Sequence, residues 1–391
     1  MFAVLRVARK ASGVFFALLS LAWLSACQVT LPSGGGPSID TSRPVPVALL
    51  VPGGSGQATD ASLAGALENA ARLAMSELDG VQIDLRVYNT GANADQAGAM
   101  ATQAVADGAK IILGPVYAAN ANAAGVAVAG RNVNVLAFSN NPSIAGGNVF
   151  ILGPTFQNTA NRLVRYAAQQ GKGKIMVVHG TDTSETAGRD ALHRAIANSS
   201  ATLAGTVGFE LSVNGVVNAV PEISRQVRST GAQSVFMTSG TTGALPVLTQ
   251  LLRENSVPPE VAQYVGLQRW DLPPEAPQNS ALQNGWFALP DPLLSSQFNA
   301  RYTTRYGAAP HPIAGLAYDG IAAIGALVKA GQANALTGAA LTQAQGFVGV
   351  NGIFRLRGDG TNQRALAVAQ IQDNQVVIID PAPRSFAGAG S

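Results

Sequence analysis

The sequence has very few of the side chains that carry catalysis or bind metals. Its 391 residues include one cysteine and three histidines. The single cysteine, Cys27, cannot form a disulfide within the chain, and the histidines have none of the spacings of common metal sites. The His-Glu-x-x-His motif of zinc proteases and the Gly-x-Ser-x-Gly motif of serine hydrolases are both absent. The sequence therefore predicts that the protein is not an enzyme and that it uses no cofactor and no metal.

Charged residues are also scarce, at 12% of the chain, and the formal net charge is +3. Three of the basic residues, Arg6, Arg9 and Lys10, precede the first acidic residue, Asp40. Beyond residue 26 the chain has 22 basic and 22 acidic residues, so this part is formally neutral. A basic field that attracts nucleic acid is therefore not expected.

The N-terminal segment has the pattern of a bacterial lipoprotein signal peptide. Its basic start is followed by an apolar stretch at residues 14–23, too short to span a bilayer comfortably, and then by Leu-Ser-Ala-Cys at residues 24–27. This tetrapeptide resembles a lipobox, in which the cysteine becomes the lipidated first residue. We therefore predict a signal peptide at residues 1–26 and lipidation of Cys27. The alternatives are a secretory signal with an incidental cysteine, or a short anchor.

The residue after the cysteine bears on the location of the protein. Gln28 stands where aspartate would retain a lipoprotein in the inner membrane, so resemblance to Gram-negative sorting rules implies the inner face of the outer membrane. The following residues are rich in Gly, Pro and Ser, and we predict that residues 27–44 are the lipidated cysteine and a flexible tether. No other stretch is long and apolar enough to cross a membrane, so membrane contact is expected through the lipid anchor only.

From residue 45 onward, apolar runs that predict strands alternate with segments of helical periodicity. Such alternation predicts an α/β fold with mostly parallel sheets flanked by helices. The pattern occurs twice, which predicts two lobes with a ligand-binding cleft between them. We assign residues 45–153 and about 292–345 to lobe 1, residues 154–291 and about 346–380 to lobe 2, and residues 381–391 to a C-terminal tail. The pattern also predicts a helix at residues 220–229 and a single strand at residues 347–354.

The stretch at residues 109–142 predicts a ligand crevice. Its two apolar strands are joined by one helix, which makes a right-handed parallel βαβ unit. Ligands of such sheets bind outside the carboxyl ends of the strands. The residues at those ends are Tyr117, Ala118, Ala119, Ser139 and Asn140. Their hydroxyls, amides and backbone N–H groups suit binding better than catalysis.

Two short motifs have a functional interpretation and a simpler one. The glycine-rich loop at residues 53–56 lies between a predicted strand and a predicted helix, as a dinucleotide site does. It lacks Gly-x-Gly-x-x-Gly spacing, so we expect a turn there. Arg357-Gly358-Asp359 spells an adhesion tripeptide, but Asp359-Gly360 predicts a hairpin turn.

Several motifs together resemble the type I periplasmic binding proteins of the leucine/isoleucine/valine-binding class. They are VALLVP, ILGP, VLAFSNNP and GPT, followed by GLAYDG at residues 315–320 and GVNGIFRL at residues 349–356. The resemblance extends over residues 45–380 and implies a two-lobed fold with an interlobe cleft. With the lipobox and the tether, GLQRWD at residues 266–271 is similar to the penicillin-binding protein activators. The helical N-terminal domain of the enterobacterial activator has no counterpart before residue 45.

The resemblance also implies candidate ligand-binding residues. In amino-acid-binding relatives, groups after the third and fourth strands hold the carboxylate, which corresponds here to Tyr117, Ala118, Ala119 and Ser139. Ser139 matches a serine or threonine position, whereas the two alanines replace a hydroxyl pair. The loop that should hold the ammonium has no aromatic residue, although Asp182 or Glu185 can supply negative charge. The further candidates are Asn140, Ser239, Gly240, Thr241, Trp270 and Asp319. Trp270 either stacks on a ligand or packs between the lobes. Asp319 either faces the cleft or caps a helix and contacts the core.

Two functions follow from these expectations. The favoured one is a non-catalytic lipoprotein that regulates peptidoglycan synthesis, with a peptidoglycan synthase (a penicillin-binding protein) as its partner. The loss of the amino-acid ligands and the predicted outer-membrane anchor support it. The alternative is the substrate-binding protein of an ABC importer, which takes a branched-chain amino acid or amide and delivers it to an ABC permease.

Overall fold

The computed structural model describes residues 35–386, which begin with a parallel five-stranded sheet. Its strand order is β2-β1-β3-β4-β5, and every neighbouring pair is parallel. The strands are β1 Val45–Val51, β2 Ile83–Asn89, β3 Ile111–Leu113, β4 Asn134–Ala137 and β5 Val149–Ile151, and the helices between them are α1 Ala58–Ser76, α2 Ala94–Ala106 and α3 Ala118–Val128. Strands β3 and β4 are buried along their whole length, because helices cover both faces of the sheet.

A second sheet continues the same strand–helix alternation. It contains β6 Lys174–Gly180, β7 Thr202–Phe209, β8 Ser234–Met237, β9 Gln263–Gly266 and β10 Trp286–Leu289, with helices α4 Phe156–Gln169, α5 Thr183–Ala197, α6 Val213–Thr230 and α7 Leu245–Glu254. Helix α4 starts at a capping box, in which the Thr155 side chain accepts from the Asn158 backbone N–H and the Asn158 side chain accepts in return. This cap fixes the start of α4 just after the chain leaves the first sheet.

The chain then returns to the first sheet and builds a small third one. Helices α8 Pro292–Tyr306, α9 Gly315–Lys329 and α10 Gly338–Leu341 are followed by β11 Phe347–Gly349, β12 Gly352–Leu356 and β13 Asn362–Arg364, an antiparallel sheet. Asp291 caps α8, and Gly307 ends it with a φ of 75°.

Two last strands complete the second sheet. Strands β14 Ala367–Gln372 and β15 Gln375–Asp380 add in antiparallel fashion beside β10, which gives the order β15-β14-β10-β9-β8-β6-β7. Within residues 35–386, four single-turn 3₁₀ helices connect other elements, at Ala129–Arg131, Pro142–Ile144, Ala276–Gln278 and Ser280–Leu282. The predicted α/β fold with mostly parallel sheets is confirmed.

The chain passes three times between the core of the first sheet and the cores of the second. Each passage connects a residue buried in the core of the first sheet with a residue buried in a core of the second sheet. The passages lie at residues 153–159, 290–297 and 357–365. Three connections between two independently packed bodies are compatible with a hinge. The space beside these connections is therefore the place to look for a ligand site.

Three predictions about local structure need correction. The strand predicted at residues 347–354 is a hairpin, because the chain reverses at Val350 and Asn351 between β11 and β12. Phe347 and Phe354 pack in the core of the first sheet, although residues 346–380 were assigned to lobe 2. The helix predicted from residue 220 begins at Val213, since Ser212 caps it and Pro221 is accommodated inside it. The assignment of the chain to lobes as a whole remains a proposal.

The described parts of the predicted tether and tail are packed. Ile39 is 6% exposed and belongs to the core of the first sheet, and its backbone N–H donates to the Ala333 carbonyl oxygen at 2.9 Å. Phe386 is buried with Ile353 and Ala365. Flexibility of the predicted tether is therefore wrong at Ile39, and the predicted tail is packed at Phe386, because apolar side chains dock there. In the part of the chain that the structure describes, no helix combines the length and hydropathy that a membrane crossing requires.

Candidate functional site

Two adjoining cavities lie where the sheets face each other. The first, here called the Tyr117 pocket, has a volume of about 470 Å³ and lies at the carboxyl ends of β3 and β4. The second, the Gln268 pocket, has a volume of about 230 Å³ and reaches the second sheet. They share Asn140, Pro154, Ile313 and Leu316, so we treat them together as the cleft.

The Tyr117 pocket brings together four of the predicted site residues, Tyr117, Ala118, Ser139 and Asn140. They meet because parallel strands β3 and β4 are neighbours and end at the same edge. Ala119 is exposed in the first turn of α3 but is not part of the lining. The structure thus assembles the predicted crevice, while its use by a ligand remains a proposal.

Two polar groups in this pocket are already oriented by the protein. Ser139 is 4% exposed, and its Oγ accepts from the Asn141 backbone N–H at 3.1 Å. The Tyr117 hydroxyl donates to the Asp60 carboxylate. This hydrogen bond, followed by partial burial, raises the pKa of Tyr117, and the same bond together with one from Ser55 lowers the pKa of Asp60. Both partners therefore keep fixed protonation states near neutral pH.

The start of α3 offers backbone donors to the same pocket. Tyr117 is the N-cap residue of this helix, and its side chain makes no capping hydrogen bond. The first N–H groups of a helix have no intrahelical acceptor, and the helix dipole places partial positive charge there. An anionic ligand group in the Tyr117 pocket would find these donors beside Ser139.

Ser239 is not free to hold a ligand. It is 1% exposed, and its hydroxyl donates to the carboxylate of Glu185 at 2.7 Å. The same carboxylate accepts from the Thr238 hydroxyl at 2.9 Å and from the Gly180 backbone N–H at 2.6 Å. Glu185 is itself buried, so this cluster links β6, α5 and β8 internally. The expectation that Ser239 faces a cleft ligand is wrong, because its donor is used within the lobe.

Three further candidates also have structural partners. Asp182 caps α5 by accepting from the Glu185 backbone N–H at 2.8 Å. The Thr241 hydroxyl donates to the Leu272 carbonyl oxygen. A Cβ at Gly240 would lie 2.6 Å from the Gln268 Oε1, so this glycine makes room for Gln268. None of the three lines either pocket.

Trp270 is a core residue of the second sheet. Its side chain is fully buried, and Cβ atoms built on Gly266 and Gly285 would lie 1.9 and 1.7 Å from its ring. The two glycines therefore leave the space that the indole occupies. The possibility that Trp270 stacks on a ligand is wrong, because no part of the ring reaches the cleft.

Asp319 lies behind the cleft rather than in it. It is fully buried, and it accepts from the Val350 backbone N–H at 2.8 Å and from Arg364 at 3.0 Å. Arg364 also donates to the Leu152 carbonyl oxygen at 2.6 and 2.8 Å. Burial raises the pKa of Asp319, and the Arg364 charge opposes this shift. The pair ties α9 to two of the three connections between the sheets, so the proposed cleft role of Asp319 is wrong.

The structure adds cleft residues that the sequence analysis did not single out. The polar ones include Gln268, Arg269, Asn351 and Arg364. Gln268 and Arg269 lie in the GLQRWD motif, of which the sequence analysis names only Trp270 as a ligand-binding candidate. Gln268 donates to the Thr238 carbonyl oxygen at 2.8 Å, and Arg269 pairs with Asp271. No sequence signal marks Arg364, whose position depends on partners far along the chain.

The cleft has an unusual electrostatic composition for an amino-acid site. Of the described residues 35–386, no Asp or Glu lines either pocket. The two lining arginines, Arg269 and Arg364, are paired with Asp271 and Asp319. Much of the remaining wall is apolar, from Phe156, Leu267, Leu289, Ile313 and Leu316. The lining can thus receive an apolar body and an anionic group, whereas the Asp60 carboxylate next to it already accepts from the Tyr117 hydroxyl.

No group of three or more His, Cys, Asp or Glu side chains among the described residues could hold a metal ion. The predicted lipidation site, Cys27, lies outside the described residues.

Two lobes connected by three chain passages around a cleft define the class of two-lobed binding proteins. The sequence profile of the family described as periplasmic binding protein matches residues 44–375. The chain belongs to this family, and the predicted type I fold is confirmed.

Solved structures with the same fold are numerous, and three illustrate the range. A protein provisionally assigned as a branched-chain amino acid ABC transporter from Rhodospirillum rubrum is 17% identical, with a TM-score of 0.72, covering 86% of this chain and 100% of its own. A substrate-binding protein of Desulfitobacterium hafniense in complex with Leu is 16% identical, with a TM-score of 0.61, covering 86% and 100%. A solute-binding protein of Rhodopseudomonas palustris BisB5 in complex with 3,4-dihydroxybenzoic acid is 16% identical, with a TM-score of 0.56, covering 88% and 97%.

These similarities establish the fold of this chain and not its ligand. No curated protein matches the sequence. The family's name places its members in the periplasm.

Proposed function

We propose that the protein is a periplasmic solute-binding protein whose cleft takes a small carboxylate with an apolar body and no ammonium group. The observation that carries this proposal is the absence of Asp and Glu from the cleft lining within residues 35–386. An ABC permease is the partner that such a receptor serves, as the names of the solved relatives suggest.

The carboxylate end of the ligand fits the Tyr117 pocket. The hydroxyl of Ser139 and the uncapped N–H groups at the start of α3 are donors on one edge of the sheet. A helix N-terminus favours a carboxylate through its free N–H groups and its dipole. The side-chain amide of Asn140 adds a donor at the junction with the second pocket.

The rest of the ligand fits the Gln268 pocket. Leu267, Leu289 and Leu316 contribute apolar surface to its wall. Burial of apolar ligand surface contributes about 25 cal/mol per Å² removed from water, before the costs of association. Hydrocarbon or an aromatic ring is therefore the favoured content of this pocket.

An α-ammonium group is disfavoured in this cleft. The nearby acids already have partners within the protein. Asp60 accepts from the Tyr117 hydroxyl, Glu185 is enclosed by three donors, and Asp319 pairs with Arg364. A buried charge without a counter-charge or several acceptors is strongly unfavourable. One solved relative holds leucine and another a benzoic acid, so the fold accommodates ligands with and without an ammonium.

Thermal unfolding of the protein in the presence of matched ligand pairs tests this proposal. Each pair consists of an amino acid and the same skeleton without the amino group: leucine with 4-methylpentanoate, and phenylalanine with 3-phenylpropanoate. A ligand that binds only the folded state stabilises it by about 2.7 kcal/mol at a hundredfold excess over its Kd. We expect the deaminated member of a pair to raise the Tm and the amino acid to raise it less. A larger shift with the amino acids contradicts the proposal.

A second candidate function is regulation of a peptidoglycan synthase from the outer membrane. Gln28 after Cys27 supports it, as does the loss of ammonium ligands from the cleft. The GLQRWD motif supports it less than expected, since Trp270 is explained by packing against Gly266 and Gly285. A flat Tm across all ligand pairs, with co-purification of a synthase and fractionation with the outer membrane, favours this function. Loss of membrane association in Cys27→Ala tests the proposed lipid anchor in either case.

A further inference from the structure

A further cavity, beside the cleft, differs from it because six arginines line it. It has a volume of about 400 Å³ and lies between α4, the end of α5, the β12–β13 segment and the end of the described chain. We call it the arginine pocket. The arginines that line it are Arg162, Arg165, Arg194, Arg355, Arg357 and Arg364.

Two of these arginines have carboxylate partners. Arg162 pairs with Asp380 at 2.6 Å, and Arg364 pairs with Asp319 at 3.0 Å. Both are largely buried, with side chains 13% and 3% exposed. Their charges are therefore compensated within the protein.

The other four arginines have no carboxylate partner in the described part of the chain. Arg194 donates to the Gln157 side-chain oxygen at 2.8 Å, and Arg355 and Arg357 share the Gln363 side-chain oxygen at 2.9 and 3.4 Å. Arg165 has no hydrogen-bond acceptor among residues 35–386.

No acid of the described chain offsets these four charges at the pocket. Its lining contains neither Asp nor Glu in this part of the molecule. The accumulation stands out because basic and acidic residues balance, 22 to 22, beyond residue 26.

Local explanations account for single arginines but not for the group. Arg194 is in the last turn of α5, where a cation stabilises the helix dipole. The guanidinium of Arg355 lies 4.8 Å from the centre of the Phe386 ring, which is a cation–π contact. Neither effect explains why Arg165 and Arg357 face the same cavity from different segments. Four like charges around one cavity repel each other in the free protein, and an anion removes that repulsion.

The chemistry of the lining indicates the class of ligand. A guanidinium group binds a phosphate or carboxylate through two parallel hydrogen bonds, and several such groups favour a ligand with several oxyanions. A volume near 400 Å³ is in the range of small-molecule sites. We propose that the arginine pocket binds a small polyanion carrying two or more phosphate or carboxylate groups. Arg364 and Leu366 line both this pocket and the cleft, but the four arginines that carry the proposal line only this pocket. The proposal does not depend on the proposed function.

Isothermal titration of the full chain with tripolyphosphate and with citrate tests the proposal, and the two probes separate phosphate from carboxylate preference. The test variant is Arg165→Gln/Arg357→Gln, because neither side chain has a structural ion pair. The control, Arg72→Gln/Arg225→Gln, removes the same total charge from exposed pairs with Glu68 and Glu222. Circular dichroism establishes that both variants are folded.

We expect saturable binding of at least one probe by the wild type, and a loss of affinity of at least tenfold in the test variant. The control variant should bind as the wild type does. Absence of saturable binding of both probes overturns the proposal. Equal losses in the test and control variants also overturn it, since they indicate a diffuse charge effect.

Discussion

Removal of the Asp319 charge is expected to destabilise the protein far more than removal of a surface charge. Asp319 is fully buried and accepts from the Val350 N–H and from Arg364. Arg364 is 3% exposed, and its remaining hydrogen bonds go to the Leu152 carbonyl oxygen. In Asp319→Asn the guanidinium stays buried without a counter-charge, in the region where the chain passes between the two sheets.

The expected magnitude follows from this burial. Removing one partner of a buried ion pair costs about 3–5 kcal/mol, whereas an exposed pair contributes about 0–1 kcal/mol. Glu68 pairs with Arg72 at 2.7 Å, with side chains 35% and 47% exposed, so Glu68→Gln is a matched control. We expect a loss in the free energy of unfolding of about 3–5 kcal/mol for Asp319→Asn and below about 1 kcal/mol for the control.

Urea unfolding followed by circular dichroism measures these differences. The double variant Asp319→Asn/Arg364→Met removes both charges and should be less destabilised than Asp319→Asn alone, because no charge is left buried. A loss in the free energy of unfolding below about 1 kcal/mol for Asp319→Asn contradicts this expectation, since it means that the Arg364 guanidinium reaches water or another acceptor. A double variant that is less stable than the single one refutes it as well.

Two further predictions concern packing and pH. Gly285→Ala should destabilise the protein by about 1–3 kcal/mol or more, because the new methyl overlaps the buried Trp270 ring. Gly65→Ala, in an open helical position, should be neutral or stabilising. Equal urea midpoints of the two variants contradict this prediction. Burial, and then the hydrogen bond to Glu77, raise the pKa of Tyr318 to about 12, so the folded state holds this proton more tightly than the unfolded state. Stability should therefore fall as pH rises above about 10, the pKa of tyrosine in the unfolded chain. Tyr318→Phe should flatten this decline in urea titrations between pH 9 and 11. A decline of unchanged slope contradicts the raised pKa of Tyr318.

Strand–helix alternation was readable from the sequence because each element has a local signal. The apolar run at Ile111–Leu113 and the polar residues after it identified the edge at which Tyr117 and Ser139 meet. The prediction for helix α6 starts at residue 220, whereas the Ser212 cap starts the helix at Val213.

The roles of polar side chains were not readable in the same way. Ser239 and Glu185 are 54 positions apart, and Asp319 and Arg364 are 45 apart, so nothing local indicates that each group already has its partner. The direction of Trp270 depends on Gly266 and Gly285, which only the folded chain brings to both sides of the ring.

The arginine pocket was invisible for the same reason. Its unpaired arginines come from α4, α5 and the β12–β13 segment, which are distant in sequence. Each taken alone is an ordinary surface arginine, and only the fold places them around one cavity.

Isothermal titration of 4-methylpentanoate and of leucine measures whether the cleft prefers a carboxylate without an ammonium group. We expect 4-methylpentanoate to bind at least about tenfold more tightly than leucine, a difference of about 1.4 kcal/mol. Ser139→Ala should weaken this binding, while Ser296→Ala, an exposed serine on α8, should leave it unchanged. Tighter binding of leucine than of 4-methylpentanoate contradicts the proposed function, because it requires a carboxylate facing the ammonium group, and none of residues 35–386 that line the cleft is an Asp or Glu.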